Sequence, residues 1–96
     1  MKVDLTDNSE KKRFEAEVDS QWAFIDYIRT SDKIYLTHTE VPNALEGKGV
    51  GSALVAEALN RIKDANLKLI PLCPFVANYV KKHSEYKELL AEGYNV

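Results

Sequence analysis

Thr39-Glu40-Val41-Pro42-Asn43-Ala44-Leu45-Glu46-Gly47-Lys48-Gly49-Val50-Gly51-Ser52-Ala53-Leu54-Val55 is the stretch on which the reading of this chain turns. It opens as an extended, alternating segment. It then passes glycines at positions 47, 49 and 51 and runs straight into an amphipathic helix. Glycine lets backbone N–H groups close on a bound group with no Cβ in the way. A helix N-terminus adds unpaired donors and a partial positive charge. The combination predicts a site for an anionic group, most often a phosphate.

Two nucleotide-binding patterns fail on spacing. A Walker loop requires G-x-x-x-x-G-K-[ST], and the chain has no such string. The dinucleotide fingerprint requires G-x-G-x-x-G and an acid about 20 positions further on. Here the third glycine comes one residue early, and Leu67-Lys68-Leu69-Ile70 stands where the acid belongs. The spacing instead resembles the pyrophosphate loop of the GNAT acetyltransferases, [QRE]-x-x-G-x-G-x-[GA], with Glu46 or Lys48 near its start. A second block, Leu72-Cys73-Pro74-Phe75-Val76-Ala77-Asn78-Tyr79-Val80-Lys81-Lys82-His83-Ser84-Glu85-Tyr86, follows a short apolar strand. The two blocks in this order resemble a subgroup of small GNAT members often called YjdJ-type or NATD-like. The resemblance runs from residue 10 to residue 88.

Outward from the loop, periodicity supplies the other elements. Phe14, Ala16 and Val18 alternate with charged residues, as in a half-buried strand. Asp19-Ser20 makes a turn into a second strand over residues 22–29. That strand carries Trp22, Phe24 and Ile28 on one face and Ala23, Ile25 and Tyr27 on the other. After Ser31-Asp32, residues 34–41 form a third strand, so the three read as an antiparallel meander. Val50, Leu54, Val55, Ala58, Leu59, Ile62 and Ala65 recur at helical spacing across residues 49–65, with Asn66 as C-cap. Residues 68–72 form a fourth main strand, and a strand–helix–strand order favours a parallel crossover. Phe75, Val76, Tyr79, Val80 and His83 trace one face of a shorter helix. Ser84 starts a last turn through Leu90, and residues 91–96 are expected to fray.

Ninety-six residues make one domain, residues 1–96, with one small core. A formal net charge of −2 gives no general pull toward nucleic acid or membrane. No apolar run approaches the length of a membrane span, and no secretory segment follows Met1. The single cysteine makes no internal disulfide. A cytoplasmic location is the expectation. Two histidines and one cysteine, without H-x-x-x-H spacing, indicate no metal site.

Several residues are candidates for chemistry. Cys73 precedes Pro74, and proline favours the first position of a helix, so Cys73 is the expected N-cap. A thiol there meets the positive end of a helix dipole, which favours the thiolate. The same residue equally suits a small buried hydrophobe. His38 and Glu40 lie two apart on a strand and share a face, expected to be that of Ile34 and Leu36. Either can take a proton from an attacking amine, or they are a solvated strand end and a packed ring. Tyr79 is either an apolar-face aromatic or a proton donor.

What the GNAT resemblance implies is more specific. The fold is a minimal α+β one, a mixed and mostly antiparallel sheet flanked by helices. Typical members place helices between the first two strands, where this chain has only Asp19-Ser20, so the acyl site is expected to be more open. Acetyl-coenzyme A is the co-substrate, with its diphosphate on the amides of Gly47, Lys48, Gly49, Val50, Gly51 and Ser52. Its pantetheine arm lies along Thr39–Val41 and meets Asn78. Cys73, Glu40, His38 and Tyr79 are the catalytic candidates, and a backbone N–H such as that of Val41 stabilises the oxyanion. The implied function is acetyl transfer to an unidentified amine, on a small molecule or a protein. Two alternatives stay open: a non-catalytic sensor or interaction module that binds coenzyme A or an acylated form, and a structural domain whose glycines merely allow tight packing.

Overall fold

The alternating segments fold as that periodicity requires. The structure, a computed structural model, describes Met1–Val96. The strands are β1 (Thr6–Asn8), β2 (Arg13–Val18), β3 (Gln21–Arg29), β4 (Lys33–Glu40) and β5 (Lys68–Pro71). The helices are α1 (Val50–Asp64) and α2 (Pro74–Lys82), with 3-10 segments at Asn43–Leu45 and Ser84–Leu89. The sheet order is β1-β2-β3-β4-β5, antiparallel through β4, with β5 parallel to β4. The expected mixed sheet is therefore present, extended by β1. That strand is short and wholly polar, so it has no hydrophobic period to announce it.

Local chemistry sets the connections. Asp19 and Ser20 take φ of 50° and 64°, the paired positive values of a tight two-residue hairpin turn. At the end of α1, Ala65 is the C-cap and Asn66 follows it at φ 62°. Leu67 N–H donates to Ile62 O at 3.1 Å and Asn66 N–H to Lys63 O at 3.0 Å, a Schellman ending displaced by one residue from the expected cap. Past the second 3-10 segment, Ala91 N–H donates to Leu69 O at 2.9 Å, and Ala91 is buried. This part of the expected frayed end instead covers the outer edge of β5.

The core lies on one face of the sheet. Phe14 and Ala16 of β2, Ala23, Ile25 and Tyr27 of β3, and Ile34 and Leu36 of β4 turn inward. They form one cluster with Leu54, Val55, Ala58, Leu59 and Ile62 of α1 and Val76 and Val80 of α2. Both helices thus share a face, and Tyr86 Oη donates to Asn60 Oδ1 of α1 at 3.3 Å beside them. Opposite, Trp22 is 51% and Ile28 56% exposed. No helix is long and apolar enough to cross a membrane.

Candidate active site

β4 changes character at its middle. Leu36 pairs with Tyr27, but the next pair is His38 with Asp26, so Thr37 is left over as a bulge. Its Oγ1 donates to Asp26 O at 3.2 Å. One extra residue reverses the facing of everything after it. Thr39 consequently lies opposite Ile25 on the core face, while His38 and Glu40 lie opposite Asp26 and Phe24 on the bare face. The expectation that His38 and Glu40 share the face of Ile34 and Leu36 is overturned by this bulge. They do share a face with each other: His38 Nε2 and Glu40 Oε1 are 3.0 Å apart, both more than half exposed.

The other side of β4 opens at the same point. Pairing with β5 ends at Leu36–Pro71. The chain then turns away at Leu72, and Cys73 N–H donates to Leu36 O at 2.9 Å. From Thr37 onward the β5-facing edge of β4 meets no strand. A cleft of about 420 Å³ lies there, walled by Thr39, Glu40, Val41, Leu45, Glu46, Gly47, Gly49, Val50, Gly51, Ser52 and Phe75.

The glycine loop lines this cleft with donors. Gly49 is the N-cap of α1 at φ 79°, and Gly47 has φ 78°, values that suit glycine. No side chain caps the helix, and its first backbone bond runs from Ala53 N–H to Gly49 O. The N–H groups of Gly47, Gly49, Val50, Gly51, Ser52 and Val41 have no backbone partner. Gly51 is a point of close packing. A Cβ there would fall 2.8 Å from Phe75 Cζ and 3.4 Å from Val41 Cγ2. It is the point where β4, α1 and α2 touch.

Lys48 departs from the rest of the loop. Its Nζ reaches Asp19 Oδ2 at 3.1 Å and its N–H donates to Leu45 O, so it pins the loop to the β2–β3 turn and does not wall the cleft. Cys73 is the N-cap of α2, with Pro74 following, but its side chain makes no capping bond. It is 5% exposed, and its Sγ lies 3.3 Å from Thr39 Oγ1. The thiol therefore touches the cleft wall from behind.

Tyr79 and Asn78 stand apart from that group. They wall a second cleft of about 210 Å³ with Ser52, Phe75, Lys82 and His83, sharing only Ser52 and Phe75 with the first. The Tyr79 ring stacks on His83 with centroids 3.9 Å apart, and the His83 Nδ1 donates to Tyr79 O at 2.9 Å. Burial, with Tyr86 and Glu85 nearby, raises the Tyr79 pKa. Phe75, which walls both clefts, was not singled out in the sequence as a site residue. Its signal is an apolar residue at the second position of a helix, which packing along the helix face already accounts for.

Comparison with known proteins identifies the class to which this fold belongs. The family model described as GCN5-related N-acetyl-transferase matches residues 13–89, from β2 through the last 3-10 segment. The chain belongs to that family, a family of acyltransferases. Among solved structures, it is similar to a GCN5-like protein from Staphylococcus aureus, at TM-score 0.69 and 27% identity over 93% of this chain and 88% of that one. Among curated proteins, it is similar to Protein NATD1 of Gallus gallus and of Mus musculus, each 38% identical over 48 residues. That stretch is 50% of this chain and 44% of each relative, so it spans less than half of their length.

Proposed function

We propose that the protein binds acetyl-coenzyme A in the cleft between β4 and the start of α1 and transfers the acetyl group to an amine. The observation that carries this reading is a set of backbone N–H groups without a backbone partner, those of Val41, Gly47, Gly49, Val50, Gly51 and Ser52, along one cleft. A diphosphate suits the loop amides, where the helix dipole adds to the hydrogen bonds. A pantetheine arm suits the free edge of β4 at Thr39–Val41, where it would add as a strand. That path ends beside Glu40, with Cys73 behind Thr39.

The chemistry then needs few groups. The acceptor ammonium gives a proton to the His38–Glu40 pair, a service worth about 10²–10⁴ in rate. The free amine attacks the thioester carbon, and the Val41 N–H stabilises the oxyanion. The C–N bond forms, the C–S bond breaks, and the coenzyme A thiolate leaves and takes up the proton that the new amide nitrogen gives up. Tyr79 and Asn78, in the adjoining cleft beyond Phe75 and Ser52, border the coenzyme from that side in this scheme. Direct transfer is favoured over an acetyl-cysteine route because Cys73 is buried behind Thr39.

Calorimetric titration with acetyl-coenzyme A, followed by thiol release with a panel of primary amines, tests the reading. Binding with release supports it. Binding without release assigns the protein to the sensor class, and no binding at millimolar concentration removes the proposal.

A further inference from the structure

The bare face of the sheet carries a pattern of its own. Across β2, β3 and β4 the register sets Glu15, Phe24 and Glu40 in one row and Arg13, Asp26 and His38 in the next. Glu17 and Trp22 pair on the far side of the Phe24 row. Residues opposite one another on neighbouring strands share a face and lie within side-chain reach. These rows hold four carboxylates and one guanidinium. Arg13 sits 3.8 Å above the Phe24 ring and bonds Asp26 Oδ1 at 3.1 Å. The face thus already holds one cation between an aromatic ring and a carboxylate. Glu15 and Glu17 have no cationic partner, and Glu40 has only His38.

We propose that this bare face docks a basic, lysine-bearing polypeptide segment, and that the lysine ε-amine is the acyl acceptor. The proposal rests on the acetyl-transfer reading above. Glu40 connects the two, because it walls the cofactor cleft and also stands in the row of Glu15 and Phe24. A polypeptide fits better than a free small amine because none of the clefts is walled by Trp22, Phe24, Asp26 or His38. A flat surface gains affinity by spreading several contacts along an extended ligand. From Glu40 to Glu15 is two strand spacings, about 10 Å, the span of three extended residues. The acceptor lysine therefore belongs about three residues from a second basic residue, with Trp22 covering the stem of one of them.

Trp22 is the only tryptophan in the chain and reports on this face directly. The probe is an end-blocked nonapeptide with a central lysine, an arginine three residues to either side, and glycine elsewhere. Its control carries glutamates in place of the arginines. With coenzyme A saturating, the basic probe should change Trp22 emission saturably and bind at least ~10-fold more tightly than the control at low salt, less so as salt rises. The double variant Glu15→Gln, Glu17→Gln should lose that preference. In acetyl transfer it should raise KM for the basic probe and leave kcat unchanged. An equal response to both peptides would overturn the proposal. So would emission that follows protein concentration alone, the mark of a second copy on this face. Spermidine acetylated as well as the peptide, at a rate the double variant does not alter, would overturn it too. Calorimetry of acetyl-coenzyme A on the same samples separates a failure of the cofactor reading from a failure of this one.

Discussion

The two halves of β4 are built for different work. Ile34 to Leu36 is paired on both sides, with Ile34 and Leu36 fully buried under the helices. Thr37 to Glu40 is bulged on one edge and unpaired on the other, and its side chains are polar. The first half makes the fold and the second half makes the site. The difference teaches that one inserted residue is enough to separate them. It turns His38 and Glu40 outward and Thr39 inward without interrupting the strand.

The sharpest contrast is in stability. Leu36→Ala should cost about 2–5 kcal/mol, because a fully buried leucine leaves a cavity. Thr39→Ala, three residues on, should cost under about 1 kcal/mol, since it loses one contact with Cys73 Sγ at the cleft. Urea unfolding of the two variants measures both. Similar losses would abolish the division of the strand.

A pH effect on stability is expected beside the closed half. Tyr27, opposite Leu36, donates its hydroxyl to Asp7 Oδ1 at 2.6 Å. Burial first, and that bond second, push its pKa up to about 12 from 10.0. The unfolded chain loses this proton first as pH rises. The stabilisation is therefore complete below pH 10 and is lost on passing through about pH 12. Tyr27→Phe should flatten that alkaline decline in chemical denaturation. An unchanged slope would show that another group titrates.

In the open half, Gly49→Ala should cost about 1–2 kcal/mol, because a Cβ at φ 79° is strained. It should also weaken acetyl-coenzyme A, since the loop amides shift together. Thermal unfolding and calorimetry read the two effects, and a variant altered in neither would remove the need for glycine there. The smallest effect is expected at Cys73. Cys73→Ala should keep the transfer rate within about tenfold, because direct attack needs a positioned thioester and an oxyanion donor and no thiol. A rate at background, with an acetyl group found on Cys73 of the unaltered protein by mass spectrometry, would establish the covalent route instead.

Much of this was legible in the residues, for identifiable reasons. β2, β3, β4 and α1 bury apolar side chains at fixed periods, and the glycine loop has a spacing that the Walker and dinucleotide loops lack. β1 was not legible, because Thr6-Asp7-Asn8 is paired through its backbone and carries no apolar pattern. The bulge was hidden for a similar reason. After Leu36 the chain reads Thr-His-Thr-Glu, and an all-polar run shows no change of phase when a residue is inserted. The separation of Tyr79 from the cleft of Glu40 was also invisible. It depends on Phe75 lying against Gly51, a contact between elements far apart in sequence.

The central claim is that the free amides at the start of α1 hold the diphosphate of acetyl-coenzyme A. Amide resonances of the ¹⁵N-labelled protein, followed during titration with acetyl-coenzyme A, test it residue by residue. The account predicts saturable shifts at Gly47, Gly49, Val50, Gly51 and Ser52, with smaller ones at Thr39 and Val41 and none along β1. Saturable binding that leaves the Gly47–Ser52 amides unmoved would contradict it.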